Sequence, residues 1–135
     1  MRESKVFSNL TYLNCENNQA LTLDVSSLIH LTYLNCARNQ ITQLDVSNLS
    51  QLYTLDCSLN HIINLDVSNL IHLHNLEASQ LGVTYGTLVS LNAFGCSSLY
   101  SLSVYGNRLT TLNVSGCSIL HSIDASNNLL TIFNT

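Results

Sequence analysis

Five cysteines, five histidines and eight acidic side chains are the groups in this 135-residue chain able to ligate a metal or act as nucleophile or base. Cys15, Cys36 and Cys57 recur every 21 residues, and Cys96 and Cys117 are again 21 apart. Thiols could serve zinc, a disulfide or packing. No C-x-x-C pair provides zinc spacing, the count is odd, and side chains repeated along parallel segments point the same way, which disulfide geometry disfavours. Ala78, Val104 and Ala125 continue the first row, and Leu28, Leu49 and Leu70 precede Cys96 and Cys117 in the other. A site that accepts Ala, Val or Leu wants an apolar filler, so Cys15, Cys36 and Cys57 read as a structural ladder. Asp24, Asp45 and Asp66 form a third row, a potential hard-cation site needing six to eight oxygens. The row turns to Asn92, Asn113 and Asn134, and a Ser follows each Asp two places on, so turn capping is the preferred reading. His72 and His74 flank Leu73 and would point the same way in an extended segment; with His30, His61 and His121 they read as solvated turn residues. There is no G-x-S-x-G elbow, P-loop or metalloprotease helix. No catalytic residue, metal or cofactor is assigned.

The elements that position these rows come from one repeat. LTYLNC occurs at Leu10 and Leu31, and LYTLDC at Leu52. Aligned on it, units start at Leu10, Leu31, Leu52, Leu73, Leu99 and Leu120, each of 21 residues except the fourth, which has 26, and the sixth, which stops at Thr135. Apolar residues hold positions 1, 4, 6, 11, 14, 16 and 19. Position 9 is Asn18, Asn39, Asn60, Leu81, Asn107 and Asn128. Buried amides there would satisfy backbone groups of the turn and of adjacent coils. The spacing predicts a leucine-rich repeat solenoid whose stacked coils form one curved parallel β-sheet. With so few residues per coil, the LDVS return half leaves room for strand and turn, and for short 3₁₀ segments at most. Residues 1–9 read as a vestigial start and 10–135 as the repeat domain, about five and a half coils, with five extra residues near 83–87.

With its LTYLNC and LDVS motifs, the chain resembles bacterial internalin-like leucine-rich repeat proteins, in their 21-residue class with a cysteine ladder. The resemblance covers residues 10–135. It implies a curved solenoid on secreted or cell-surface proteins that bind other macromolecules, and it names no ligand. The opening residues MRESKVFSNL hold no apolar stretch of the signal-peptide kind, so the compartment stays open.

Composition narrows the partners. Four Lys and Arg are too few to neutralise a run of phosphates, which argues against nucleic acid, and no apolar run approaches the ~20 residues of a membrane-spanning helix. Charged residues are only 9%, replaced by 26 Leu, 18 Ser and 17 Asn, and there is no Pro. The expectation is a recognition module that binds a protein or glycan on the concave sheet face. Positions 3, 5, 7 and 8 supply the outward residues: Tyr12, Asn14, Glu16, Tyr33, Asn35, Arg38, Asp56, Glu77, Tyr105 and Asp124. Tyr12 and Tyr33 have a second reading, stacking on each other along the ladder. The extra segment, with Thr84 and Tyr85, is either a ligand loop or a junction between two arrays. Terminal coils lacking polar caps predict a fragment of a longer solenoid or end-to-end self-association. A structural spacer with no ligand of its own is the alternative function.

Overall fold

The computed structural model describes residues 7–82 and 86–135. Ten three-residue strands follow one another: β1 (Tyr12–Asn14), β2 (Tyr33–Asn35), β3 (Thr54–Asp56), β4 (Asn64–Asp66), β5 (Asn75–Glu77), β6 (Ser90–Asn92), β7 (Ser101–Ser103), β8 (Thr111–Asn113), β9 (Ser122–Asp124) and β10 (Ile132–Asn134). The described residues contain no helix. Strands β1, β2, β3, β5, β7 and β9 form a six-stranded parallel sheet, one strand per coil. The expected return-side strands go further than the single sheet anticipated. From the third coil onward, β4, β6, β8 and β10 pair into a second, four-stranded parallel sheet.

Strand length follows from the repeat. In the first sheet the middle residue points inward and its neighbours outward, so Leu13, Leu34, Leu55, Leu76, Leu102 and Ile123 align in one register column. Leu65 and Leu91 do the same in the second sheet, as do Leu112 and Phe133. One core runs between the two sides, from Val25 to Cys117, and no coil could bury its apolar stripe alone.

Turns end four of the six strands of the first sheet by a shared device. The side-chain oxygen at position 5 accepts the N–H two residues on, as from Asn35 to Ala37 (3.0 Å) and from Asp56 to Ser58 (3.0 Å). The return half repeats the motif, with Asp24 accepting from the Ser26 N–H (3.0 Å) and hydroxyl (2.7 Å), and Asp45 from Ser47. This is the turn capping read from the LDVS row. The chain then passes through a left-handed residue: Asn17, Arg38, Leu59, Gly106 and Asn127 have φ between 53° and 74°.

The position 9 amides join coil to coil. Asn60 Nδ2 donates to Cys36 O (2.9 Å) in the coil before, and to Cys57 O (3.1 Å) and Ser58 O (3.3 Å) in its own. Its Oδ1 accepts the Ile41 N–H (3.0 Å). Asn39 and Asn128 repeat this pattern.

The fourth coil departs from it, and the extra residues begin earlier than the sequence suggested. Gly86 and Thr87, expected inside the insertion, are back in register. The Gly86 N–H donates to Gly106 O (2.7 Å), and the Thr87 hydroxyl donates to Ile62 O (2.8 Å). Leu81, aligned with the asparagines, is instead 68% exposed. The insertion therefore starts at Leu81, and Gly86 takes the asparagine's place. A Cβ on Gly86 would collide with Gln80 Cγ and lie 2.5 Å from Asn107 Oδ1. Gln80 occupies that space and sends its own amide to Asn60 O (2.9 Å). A glutamine one position early thus makes a single inter-coil bond where the asparagine is missing. Thr84 and Tyr85 lie outside the described residues.

Candidate functional site

The outward face of the six-stranded sheet carries a groove of about 480 Å³. Six of the ten residues chosen by repeat position line it: Glu16, Arg38, Asp56, Glu77, Tyr105 and Asp124. They meet because positions 5, 7 and 8 lie side by side at the strand ends, and each coil adds one residue to each row. Parallel register sets Asp56 beside Glu77, and Ser103 beside Asp124. Ala37, Ser58, Leu59, Ser79, Leu81 and Ser103 complete the lining.

Charge is unevenly partnered along the groove. At the first coils, Arg38 Nε lies 3.5 Å from Glu16 Oε1, the only ion pair among the described residues. Asp56, Glu77 and Asp124 have only hydroxyl or amide donors. Asp124 accepts the Ser126 N–H (3.1 Å) and a short hydrogen bond from the Ser126 hydroxyl, and these hold its carboxyl below the usual range. Glu77 goes the other way. Burial pushes its pKa up, and repulsion from Asp56 and Asp124 adds to that, against the hydroxyls of Ser79 and Ser103. Those two hydroxyls lie 2.6 Å apart, bridging the fourth and fifth coils. Tyr105 is fixed at its phenol, which accepts from Asn127 Nδ2 (2.8 Å).

The other four chosen residues lie outside the groove. Tyr12 and Tyr33 stack with centroids 4.5 Å apart and planes 7° from parallel, so each covers one face of the other. Asn14 caps the turn at Glu16. Asn35 is a correction: it is buried, accepts from Ala37 and donates to Glu16 Oε2 (3.2 Å), so it supports the groove from beneath and offers no open surface. The resemblance between the two halves of the repeat carried this signal, since position 5 stands where the LDVS aspartates stand.

A second correction concerns histidine. His74 is not a freely solvated turn residue, while His121 is exposed and stacks on Tyr100. Position 2 stacks Tyr53, His74, Tyr100 and His121 into an aromatic column, with centroids 4.8, 5.1 and 4.9 Å apart. His74 stands edge-on between two tyrosines, and its Nδ1 is buried without a partner. The column is legible in the sequence as Tyr53, His74, Tyr100 and His121 at position 2 of successive coils.

The thiols sit as the ladder predicts. Cys36, Cys57, Cys96 and Cys117 are buried, Cys15 is half-buried at the first coil, and all are free. Burial, reinforced by Cys15 and Asp56, pushes the Cys36 thiol up to about 12. Cys57 is raised well beyond the usual thiol value, again mainly by burial. Cys96 Sγ donates to Val67 O (3.0 Å) and Cys117 Sγ to Ala93 O (3.3 Å), so the second row also links successive coils.

Stacked 21-residue coils, an asparagine column and a row of buried thiols define an internalin-like leucine-rich repeat solenoid of the cysteine-ladder class. Among solved structures, the chain is similar to the functional domain of InlJ from Listeria monocytogenes, which includes a cysteine ladder. The TM-score is 0.63 and the identity 31%, over 96% of this chain and 33% of that one. The chain thus spans about a third of the length of that relative. Comparison with protein families and with curated protein sequences gives no match. Among the described residues, no helix is long and apolar enough to cross a membrane.

Proposed function

We propose that the chain is a non-enzymatic recognition module that binds a protein or glycan through the groove on the face of its six-stranded sheet. The observation that carries this reading is convergence: residues drawn from all six coils, chosen only by repeat position, line one groove. A second support is the build of the lining. Its turns are fixed by side-chain caps and its strands by the ladder, so a ligand meets an ordered surface and little ordering entropy opposes binding. The likeness to a functional domain of the same repeat class agrees with recognition.

The test is to screen the chain against glycan and peptide arrays beside two variants. Asp56→Asn with Glu77→Gln changes the groove. Asn64→Ala changes the opposite sheet, where Asn64 accepts the Ser90 hydroxyl (2.6 Å). Ligands lost by the first variant and kept by the second support the assignment, and the reverse pattern refutes it. A chain that retains nothing on either array sides with the alternative, a structural spacer within a longer repeat protein.

A further inference from the structure

Within that reading, the groove also indicates what kind of ligand it takes. Asp56, Glu77 and Asp124 share position 5 of the third, fourth and sixth coils and have no Lys or Arg partner among the described residues. Asp56 commits Oδ1 to the Ser58 N–H, and Asp124 commits Oδ1 to Ser126, which leaves the second oxygen of each carboxylate for another donor. Carboxylates that repel one another in a part-buried groove favour an incoming cation over water alone.

The same groove exposes apolar surface where the repeat has no need of it. Leu59 has φ 54° at a turn position that holds Asn17, Arg38, Gly106 and Asn127 in other coils. Asn and Gly accept that backbone readily, whereas Leu does so only with strain. Leu81, the first extra residue of the fourth coil, stands 68% exposed on the same lining. Leu59 belongs to the third coil with Asp56, and Leu81 to the fourth with Glu77, and both share the lining with the carboxylates. A neutral sugar would hydrogen-bond the carboxylates but leave their charge uncompensated. Its usual aromatic platform is also poor here, since Tyr105 is the lone ring in the lining and the Tyr12–Tyr33 pair lies outside it.

We propose that the groove docks a basic polypeptide segment laid along the solenoid axis, with one Lys or Arg shared by the neighbouring Asp56 and Glu77, a second at Asp124, and an apolar side chain seated against Leu59 and Leu81. This rests on the recognition reading above and narrows it to protein. The geometry sets a spacing. From the third coil to the sixth is three strand steps of ~4.8 Å, about 14 Å, which an extended peptide covers in four residues at ~3.4 Å each. Residues i, i+2 and i+4 of such a peptide face the same way, so the matching pattern is basic, apolar, basic at alternate positions.

The experiment titrates the ¹⁵N-labelled chain with a capped heptapeptide of sequence Ser-Lys-Ser-Leu-Ser-Lys-Ser. Its counterpart with Glu for Lys and a neutral hexasaccharide of N-acetylglucosamine are run in parallel. The Lys peptide should shift the amides of Ser58, Ser79 and Ser103, and its Kd should weaken about tenfold between 20 and 300 mM NaCl. Asp56→Asn with Asp124→Asn should weaken it by about tenfold while the spectrum stays native, because Asn14 and Asn35 already cap the same turn in earlier coils. Equal binding of the Lys and Glu peptides, shifts mapping elsewhere, or unchanged affinity in the double variant would overturn the proposal. If the hexasaccharide shifts the groove amides and the Lys peptide does not, the basic-segment inference fails and recognition by this face stands. If neither probe touches the groove, the basic-segment inference fails, and the array screen alone decides the recognition reading.

Discussion

Replacing Asn60 by Ala tests whether the asparagine column holds the coils together. The side chain makes four hydrogen bonds, and its loss does not affect the four partners equally. Cys36 O also accepts from Asn39 Nδ2, and Ser58 O also accepts from the Arg38 N–H, so both stay satisfied. Ile41 N–H and Cys57 O lose the amide that pairs them, deep in the stack. The fourth coil holds no asparagine able to compensate, because Gly86 stands in that place. Two backbone groups orphaned at ~1–3 kcal/mol each give a cost of roughly 4 kcal/mol. At a urea dependence of about 2 kcal/mol per M, the midpoint should fall by about 2 M. Asn18→Ala is the matched control. Asn18 is exposed, bonds only to Cys15 O and Glu16 O of its own coil, and Cys15 O keeps its bond from Asn39. Its loss should cost about 1 kcal/mol or less. The assay is urea unfolding followed by far-UV circular dichroism for both variants. Equal destabilisation would refute the inter-coil argument, since it would show the amide acting only on its own turn.

Three further outcomes are expected. Leu59→Asn should raise stability by about 1 kcal/mol by relieving the left-handed backbone, and it should weaken docking in the groove; a lower urea midpoint would contradict the strain. Acidification should act through two opposed sets of carboxyls. Asp24, Asp45 and Asp124 are held below the usual carboxylate range first by the hydroxyl of the serine two residues on, and Asp66 first by the Ser68 N–H. Their contribution is present above the unfolded value near ~3.9 and is lost as pH falls through the folded values. Glu77 is raised, so its charge opposes folding at neutral pH, and that opposition is relieved as pH falls through its folded value. Glu77→Gln should therefore stabilise at pH 7 and lose that advantage near pH 4, read from urea midpoints across the pH series. Finally, iodoacetamide at pH 8 should label Cys15 ahead of Cys36 and Cys57, whose thiols are buried and raised, with order scored by peptide mass spectrometry; faster labelling at Cys57 would show the ladder to be open.

Much of this solenoid was legible in the chain because a repeat makes sequence position and spatial position nearly the same quantity. Leu34, Leu55 and Leu76 stack because they sit 21 residues apart, and the thiol row and the asparagine column follow by the same rule. The outward rows at positions 5, 7 and 8 could be drawn for that reason, which is how Asp56, Glu77 and Asp124 were found together.

What depended on tertiary structure lies where the periodicity breaks or where depth matters. Asn35 and Asp56 hold the same position, yet only the neighbouring Glu16 and the coils on either side decide that Asn35 is buried and Asp56 part-exposed. Leu81 aligned with the asparagines until the fold showed Gln80 filling their place and Gly86 back in register. The pairing of the return strands into a second sheet from the third coil also went beyond the repeat pattern. The coil, its core and its rows follow from the 21-residue periodicity, which brings each apolar stripe onto that of the next coil. The groove, with its unpaired carboxylates beside a half-buried and an exposed leucine, was decided by tertiary packing, because burial and electrostatic partnership depend on the coils above and below.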